Sequence, residues 1–219
     1  MSASRLLYIV VHGDYYLPHL EEIFQFWQGG LSWPGAVAGG LLGAFWVARR
    51  RHEPLGAVLD AAALPMALLG LLGWGGCLAA GCAYGFEVPP GFWPTTHAPD
   101  LYGLSLPRFP TQLIGLAWSV LALALVWLTV RRAWAPGARG ALALALVALG
   151  MFALAFTRGD LAPLMGGTRA DIVGSGLVCG LSAAAFAIRK PRGAPAADSP
   201  SNTQAPAGES TTTDPLVNP

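Results

Sequence analysis

Polar and apolar positions in this chain fall into long blocks rather than the alternating stripes of a surface helix. Residues 31–48 (LSWPGAVAGGLLGAFWVA) are apolar and stop at Arg49, Arg50 and Arg51. Residues 55–84 form a second and unusually long block, interrupted by Asp60 and Pro65 and then by Gly73, Gly75 and Gly76. A third block, 112–130, closes on Arg131 and Arg132, and a fourth, 140–156, ends just before Arg158. A fifth, 172–188, is weaker and ends in Arg189-Lys190-Pro191-Arg192. About 20 apolar residues cross the hydrocarbon core of a bilayer. In lipid each span has to satisfy its own backbone groups, so all five are expected as helices. The expected fold is all-α: a polytopic transmembrane helical bundle of about five full spans plus a partial N-terminal one.

The partial span is 6–11 (LLYIVV), too short to cross, with only Arg5 ahead of it and no small-residue cleavage pattern behind it. It reads as the tail of a span whose beginning lies upstream of Met1. The chain is thereby divided into a partial span and outer loop (1–30), a transmembrane helical domain (31–190) and a tail (191–219). The tail is Ala, Pro, Ser, Thr and Asn with few large apolar groups, a composition that buries too little surface to fold, and it is expected to be disordered. Between the second and third blocks, 86–111 is rich in Pro and aromatic residues, and Phe92, Trp93 and Tyr102 are suited to the headgroup level of a membrane.

Composition strengthens the membrane reading. Charged residues are 11% of the chain, hydrophobic ones 54%, and the mean hydropathy is +0.51. An ordinary globular protein carries about 25% charged residues, so too few are present here to coat a water-facing surface. The net charge of +1 gives no reason to expect a nucleic-acid partner. The placement of charge is more informative. Basic clusters follow the first, third and fifth blocks and Arg139 precedes the fourth, whereas the opposite loops hold only Arg108, Arg158 and Arg169. The positive-inside bias then places 49–54, 131–139 and the C-terminal tail in the cytoplasm.

Candidate chemistry is sparse. Cys77, Cys82 and Cys179 sit in Gly/Ala-rich stretches with no zinc spacing, and they read as three reduced, buried thiols. No cofactor or metal is expected, and His12, His19, His52 and His97 have no partner at ligand spacing. Gly35, Gly39, Gly40 and Gly43 permit close helix packing. The glycines of the second block, Gly70, Gly73, Gly76, Gly81 and Gly85, allow either packing or room for a ligand headgroup. Asp60 is costly in lipid unless it is paired or interfacial, and an interfacial place is expected. Arg158 and Asp160, at the outer end of the fourth block, form either an exposed pair or a cavity-facing guanidinium able to hold a phosphate. Mid-span positions are almost wholly Ala, Leu, Val and Gly, which suits lipid handling or scaffolding better than transport.

Several stretches resemble one enzyme family. IFQFWQGGLSWPGAVAGGLLGAFWVARR at 23–50, Arg5-Leu6 with Tyr8, and Asp14-Tyr15-Tyr16 are similar to segments of the bacterial prolipoprotein diacylglyceryl transferases. So are Asp60, LGWGGCLAAGCAYG at 72–85, Pro110-Thr111-Gln112-Leu113 and Phe156-Thr157-Arg158-Gly159-Asp160, in order and at matching spacing from about 5 to 188. The resemblance implies an enzyme that moves the diacylglyceryl group of phosphatidylglycerol onto the lipobox cysteine thiol of a prolipoprotein and releases glycerol phosphate. It implies phospholipid contacts at Arg158, Gln112, Gly76, Gly81 and Gly85; it assigns no catalytic residue here. Such chemistry needs a base for a thiol whose free pKa is about 8.5 and cations for the departing phosphate.

The chain departs from the family pattern at polar positions. Pro34 and Phe109 stand where the family has histidine, Trp74 where it has its signature arginine, and Ile114-Gly115 where it has Tyr-Glu. Cys77 and Cys82 occupy variable signature positions, and Met151 and Ala155 replace Arg and Glu. Trp74, Cys77 and Gly81 share a helix face, polar in the family and apolar here. Two expectations follow: a transferase, or a catalytically inactive paralogue that binds lipid or a membrane partner.

Overall fold

The structure, a computed structural model, describes residues 2–24, 32–162, 164–165 and 167–189. The tail expected to be disordered, 191–219, lies outside the described residues, as does 25–31 of the stretch compared with the family.

Helices dominate. In chain order they are α1 (Ser2–Val11), α2 (Gly13–Tyr16), a 3-10 turn at Leu20–Phe24, α3 (Trp33–Arg51), α4 (Leu55–Ala61), α5 (Ala63–Ala80), α6 (Thr111–Thr129), α7 (Ala138–Ala155) and α8 (Ala170–Ile188). Two two-residue strands, β1 (Leu164–Met165) and β2 (Thr168–Arg169), pair antiparallel between α7 and α8. Among the described residues α5, α6, α7 and α8 are each long and apolar enough to cross a membrane. The protein is a multi-pass membrane protein. α3 stands where the first span is expected, but its last turn is Arg49, Arg50 and Arg51. Its apolar stretch, 33–48, measures only about 24 Å at 1.5 Å per residue, short of a hydrocarbon core of about 30 Å.

The long second block is two helices, not one. Pro65 has no N–H to give the carbonyl of residue 61, the bond that would carry α4 into α5. The helix breaks at Ala62 and restarts, leaving Pro65 in the first turn of α5, where its missing donor costs nothing.

α7 is the centre of the bundle: 44% of its span is buried, against 11–33% for the other three. It packs on α4, α5, α6 and α8. Alanine makes that possible. Ala63 and Ala67 of α5, Val126 of α6 and Ala143 of α7 form one closed cluster, the small residues letting the backbones approach as helices in lipid require. The lipid-facing sides keep Leu69, Leu72, Trp127, Leu128 and Leu181 exposed.

One end of the bundle collects the basic clusters. α4 lies across the start of α7: a methyl on Gly56 would fall 2.8 Å from the Pro136 backbone, and one on Gly140 would fall 2.7 Å from that of Leu59. The Arg189 guanidinium lies over Gly137. Asp60 closes this end by pairing rather than by exposure. Its Oδ2 accepts from the Gly137 N–H and its Oδ1 from the Gly140 N–H, each at 2.8 Å. A carboxylate thus caps the N-terminus of α7 from another helix, satisfying two of its orphan donors and its positive dipole end. Asp60→Ala is expected to cost about 1–2 kcal/mol, the range for a lost N-cap. A matching fall in Tm on thermal denaturation in detergent, with Asp60→Asn intermediate, checks this.

α1 packs along α3, with Ala3 against Gly35 and Gly39 and the Ser4 hydroxyl donating to the Ser32 carbonyl at 2.7 Å.

Candidate functional site

At the opposite end α5 stops at Gly81, whose φ of +69° is left-handed and whose Cα faces the Asp100 backbone so closely that a methyl would lie 2.6 Å from it. Glycine serves both demands there. The turn folds Cys82 back, with its N–H donating to the Cys77 carbonyl at 2.9 Å, and brings the two cysteines to a Cα–Cα separation of 4.6 Å. Cys77 and Cys82 form a disulfide. The expectation of three reduced thiols is corrected for these two: a reversal at the end of a helix brings cysteines five apart into bonding range, where a straight helix would not. Cys179 is free. Gln112 is buried under this turn and its Nε2 donates to the Cys82 carbonyl (2.6 Å) and the Cys77 carbonyl (3.3 Å).

Beyond the disulfide three segments cross. Phe86 donates its N–H to Thr157 O (3.0 Å), Gly159 to Tyr84 O (2.9 Å) and Phe109 to Phe86 O (3.0 Å). Gly85 lies between the flanking segments, and a methyl there would sit 2.1 Å from the Phe109 carbonyl oxygen. This crossing carries Arg158 from the end of α7 into a cluster of four charges. Arg158 Nε donates to Asp160 Oδ1 at 2.8 Å and its Nη2 to Asp160 Oδ2, while its Nη1 lies 3.6 Å from Asp171 Oδ2. Arg169 donates to Asp171 through Nε (3.1 Å) and Nη2 (3.0 Å), and through Nη1 to the Arg158 and Asp160 carbonyls. The bonds to Asp171, against the penalty of partial burial, push the Arg169 pKa above its ordinary value, so this guanidinium stays charged. The cluster is formally neutral and part-exposed. Each of its two arginines is held in place by a carboxylate.

A second charged pair lies in the 86–110 loop. Arg108 Nη2 donates to Asp100 Oδ2 at 2.8 Å with both residues buried, and the guanidinium lies 4.1 Å over the Tyr84 ring. Asp100 Oδ1 accepts from the N–H groups of Tyr102 (2.8 Å) and Leu104 (2.9 Å). Burial alone would raise the Asp100 pKa, but the Leu104 N–H, the Arg108 guanidinium and the Tyr102 N–H together hold it below the ordinary 3.8. Because the folded value is the lower one, the unfolded chain binds more protons between the two values. The pair's contribution is complete above pH 3.8 and is lost as pH falls through the folded value. Thermal unfolding followed over about two pH units either side of the ordinary carboxylate value is expected to show a steeper acid limb for the wild type than for Asp100→Asn.

Of the residues that the resemblance assigns to phospholipid, the structure gathers Arg158, Gln112, Gly81 and Gly85 around the end of α5. Gly76 faces open space further down that helix. Arg169, Asp171, Asp100 and Arg108 were not among them. One signal was available: Arg158-Gly159-Asp160 and Arg169-Ala170-Asp171 are two Arg-x-Asp tripeptides, and each arginine holds its own aspartate.

The sequence profile of the prolipoprotein diacylglyceryl transferase family matches residues 1–188. The chain belongs to this family. Among curated proteins, the phosphatidylglycerol–prolipoprotein diacylglyceryl transferase of Polaromonas naphthalenivorans (strain CJ2) is 37% identical over 127 residues, 54% of this chain and 44% of that one. The enzyme of the same name from Streptococcus pneumoniae (strain Hungary19A-6) is 34% identical over 142 residues, 63% of this chain and 52% of that one. The chain therefore spans about half the length of the curated relatives it matches.

Trp74 stands where the resemblance to the prolipoprotein diacylglyceryl transferase family puts a signature arginine. Trp74 is buried with Ala83 and Leu154, lined by Cys77, Leu116 and Met151, and its ring lies on Gly115, where a methyl would fall 2.3 Å from it. Gly115 is the floor on which the indole rests.

Proposed function

We propose that this protein binds the headgroup of phosphatidylglycerol at the end of the bundle carrying Arg158, and that the site serves diacylglyceryl transfer to a prolipoprotein thiol. The observation that carries the reading is the Arg158 fork, set by the Gly85 crossing and backed by Arg169 in a chain matched to the family over 1–188. A lipid phosphate, with two to three charge-assisted acceptors, competes with Asp160 for that fork. Arg158 then takes part of the negative charge that develops on glycerol phosphate as it leaves. The thiol enters from the lipobox of the substrate and gives up its proton to a base. Its sulfur bonds to the glyceryl carbon of the lipid, and the carbon–oxygen bond to the phosphate breaks, so that glycerol phosphate leaves with the electron pair.

Two independent features support an orientation with this end outward. The basic clusters lie at the opposite end of the bundle, the cytoplasmic one by the positive-inside bias. The Cys77–Cys82 disulfide lies at this end, and disulfides persist on the oxidising side of a bacterial inner membrane. The C-terminal tail then falls in the cytoplasm.

A specific observation favours a second reading, binding without turnover: the buried Trp74 ring replaces a guanidinium, leaving one N–H where five donors would stand. Complementation of a strain depleted of the transferase separates the two. Restored prolipoprotein modification, abolished by Arg158→Ala, is the expected result for transfer; unmodified prolipoprotein at good expression sinks it. Phosphatidylglycerol binding in nanodiscs is expected under both readings. There Arg158→Ala is expected to weaken it about 10- to 100-fold, the equivalent of roughly 1.5–3 kcal/mol for a hydrogen bond to a charged group.

A further inference from the structure

The 86–110 loop is built inside out for water. Its ion pair is internal, Arg108 being 4% and Asp100 6% exposed, while Trp93 is 87%, Tyr102 70%, Leu101 65% and Leu104 55% exposed. A soluble loop places charge outward and large apolar side chains inward. Here the buried pair does the holding and the apolar groups are displayed, with Glu87 as the loop's outward charge. Asp100 accepts the Tyr102 and Leu104 N–H groups, which fixes the turn that shows Leu101, Tyr102 and Leu104. Arg108 exchanges backbone bonds with Thr96 at 2.9 Å each way, and its carbonyl accepts from the Thr95 hydroxyl at 3.2 Å, which fixes the segment that shows Trp93. One buried pair therefore presents both parts of the apolar surface in a preformed arrangement.

The position of the loop identifies what covers it. It leaves α5 at Ala80 and enters α6 at Thr111, and both helices are candidate membrane spans. The whole segment must therefore return to the bilayer boundary at each end. Tryptophan and tyrosine, with an apolar ring and one polar group, are the side chains enriched at that level. The segment carries no lysine, and its one arginine is internal, so no outward cation opposes insertion.

We propose that this loop is seated in the headgroup layer of the bilayer that α5 and α6 cross, with Trp93, Leu101, Tyr102 and Leu104 inserted among the lipids. It thereby holds the rim of the Arg158 site at the depth of a phospholipid headgroup. The seating is independent of whether the protein catalyses transfer.

The test uses the full chain in a Cys179→Ser background, with the Cys77–Cys82 disulfide intact. A single cysteine replaces Trp93, Tyr102 or, as the water-facing control, Glu87, whose side chain is 67% exposed and whose carboxylate reaches Arg108 only at 3.7 Å, so that its loss leaves the 2.8 Å Arg108–Asp100 pair in place. Each is labelled with an environment-sensitive fluorophore and placed in nanodiscs of phosphatidylcholine and phosphatidylglycerol. The expected result at 93 and 102 is blue-shifted emission, quenching by nitroxide on lipid headgroups, and iodide quenching several-fold weaker than at 87. Iodide quenching at 93 and 102 equal to that at 87 overturns the proposal. Protection from iodide without nitroxide quenching also overturns it, because protein then covers the surface. In lipid-free detergent solution the difference between 102 and 87 is expected to persist, since a micelle supplies the same interface.

Discussion

Gly85→Ala is expected to lower the unfolding free energy by about 3 kcal/mol or more, the upper end of overpacking costs, and to abolish headgroup binding with it. The added methyl would lie 2.1 Å from the Phe109 carbonyl oxygen and 2.8 Å from Thr111 Oγ1. Neither neighbour is a flexible tip. Phe109 is bonded through its N–H to Phe86, Phe86 through its own to Thr157, and the Thr111 hydroxyl lies 3.0 Å from that of Thr157. Gly159, on the other side, is also too close for a side chain: a methyl there would meet the Gly85 carbonyl at 2.8 Å. The three segments yield together or not at all, and moving the third displaces Arg158. Gly76→Ala is the control, because nothing lies within 4 Å of a methyl there. It is expected to be neutral or slightly stabilising, since alanine exceeds glycine in helix propensity by up to about 1 kcal/mol. Tm in detergent and phosphatidylglycerol retention should separate the two variants; equal behaviour would show that the crossing is not rigid.

The helices of this fold were legible because a bilayer leaves few alternatives: blocks of apolar sequence between arginines are spans. The positions of α6, α7 and α8 follow from that alone. The division of the second block at Ala62 was foreshadowed by Pro65, whose missing N–H breaks the helix. The role of Asp60 was not, because it caps α7 from 77 and 80 residues away in sequence. A contact of that separation leaves no local pattern, so the residue read as interfacial. The disulfide was hidden for a similar reason. Five residues apart on a helix, two cysteines do not face each other; only the left-handed turn at Gly81 makes them meet. Within the site Arg158 was visible as a cation at the end of a span. Its neighbours Arg169 and Asp171 arrive across the β1–β2 turn, whose pairing of two residues is too short to leave a period in the sequence.

Trp74 and Gly115 are expected to behave as one unit. Trp74→Ala removes an indole from the cluster of Ala83, Leu154, Leu116 and Met151, and its expected cost is about 3 kcal/mol, the lower end for a buried tryptophan. Gly115→Ala drives a methyl to 2.3 Å from the ring and is expected to cost about 1–3 kcal/mol. In the Trp74→Ala background that second penalty should vanish, because the ring it struck is gone. The double variant is then less damaged than the sum by about 0.5–3 kcal/mol, as for residues in contact; strict additivity in Tm would show that the two do not interlock. The same packing decides what a single reversion can achieve. Trp74→Arg sets a guanidinium among apolar neighbours inside a membrane span, at a cost of about 2.5–3.5 kcal/mol. The side chains packed around Trp74, those of Cys77, Ala83, Leu116, Met151 and Leu154, offer no oxygen acceptor for it. Trp74→Arg is therefore expected to lose stability and gain no transferase activity in the complementation assay. Activity above that of the wild type would show that the fold still holds acceptors for the cation.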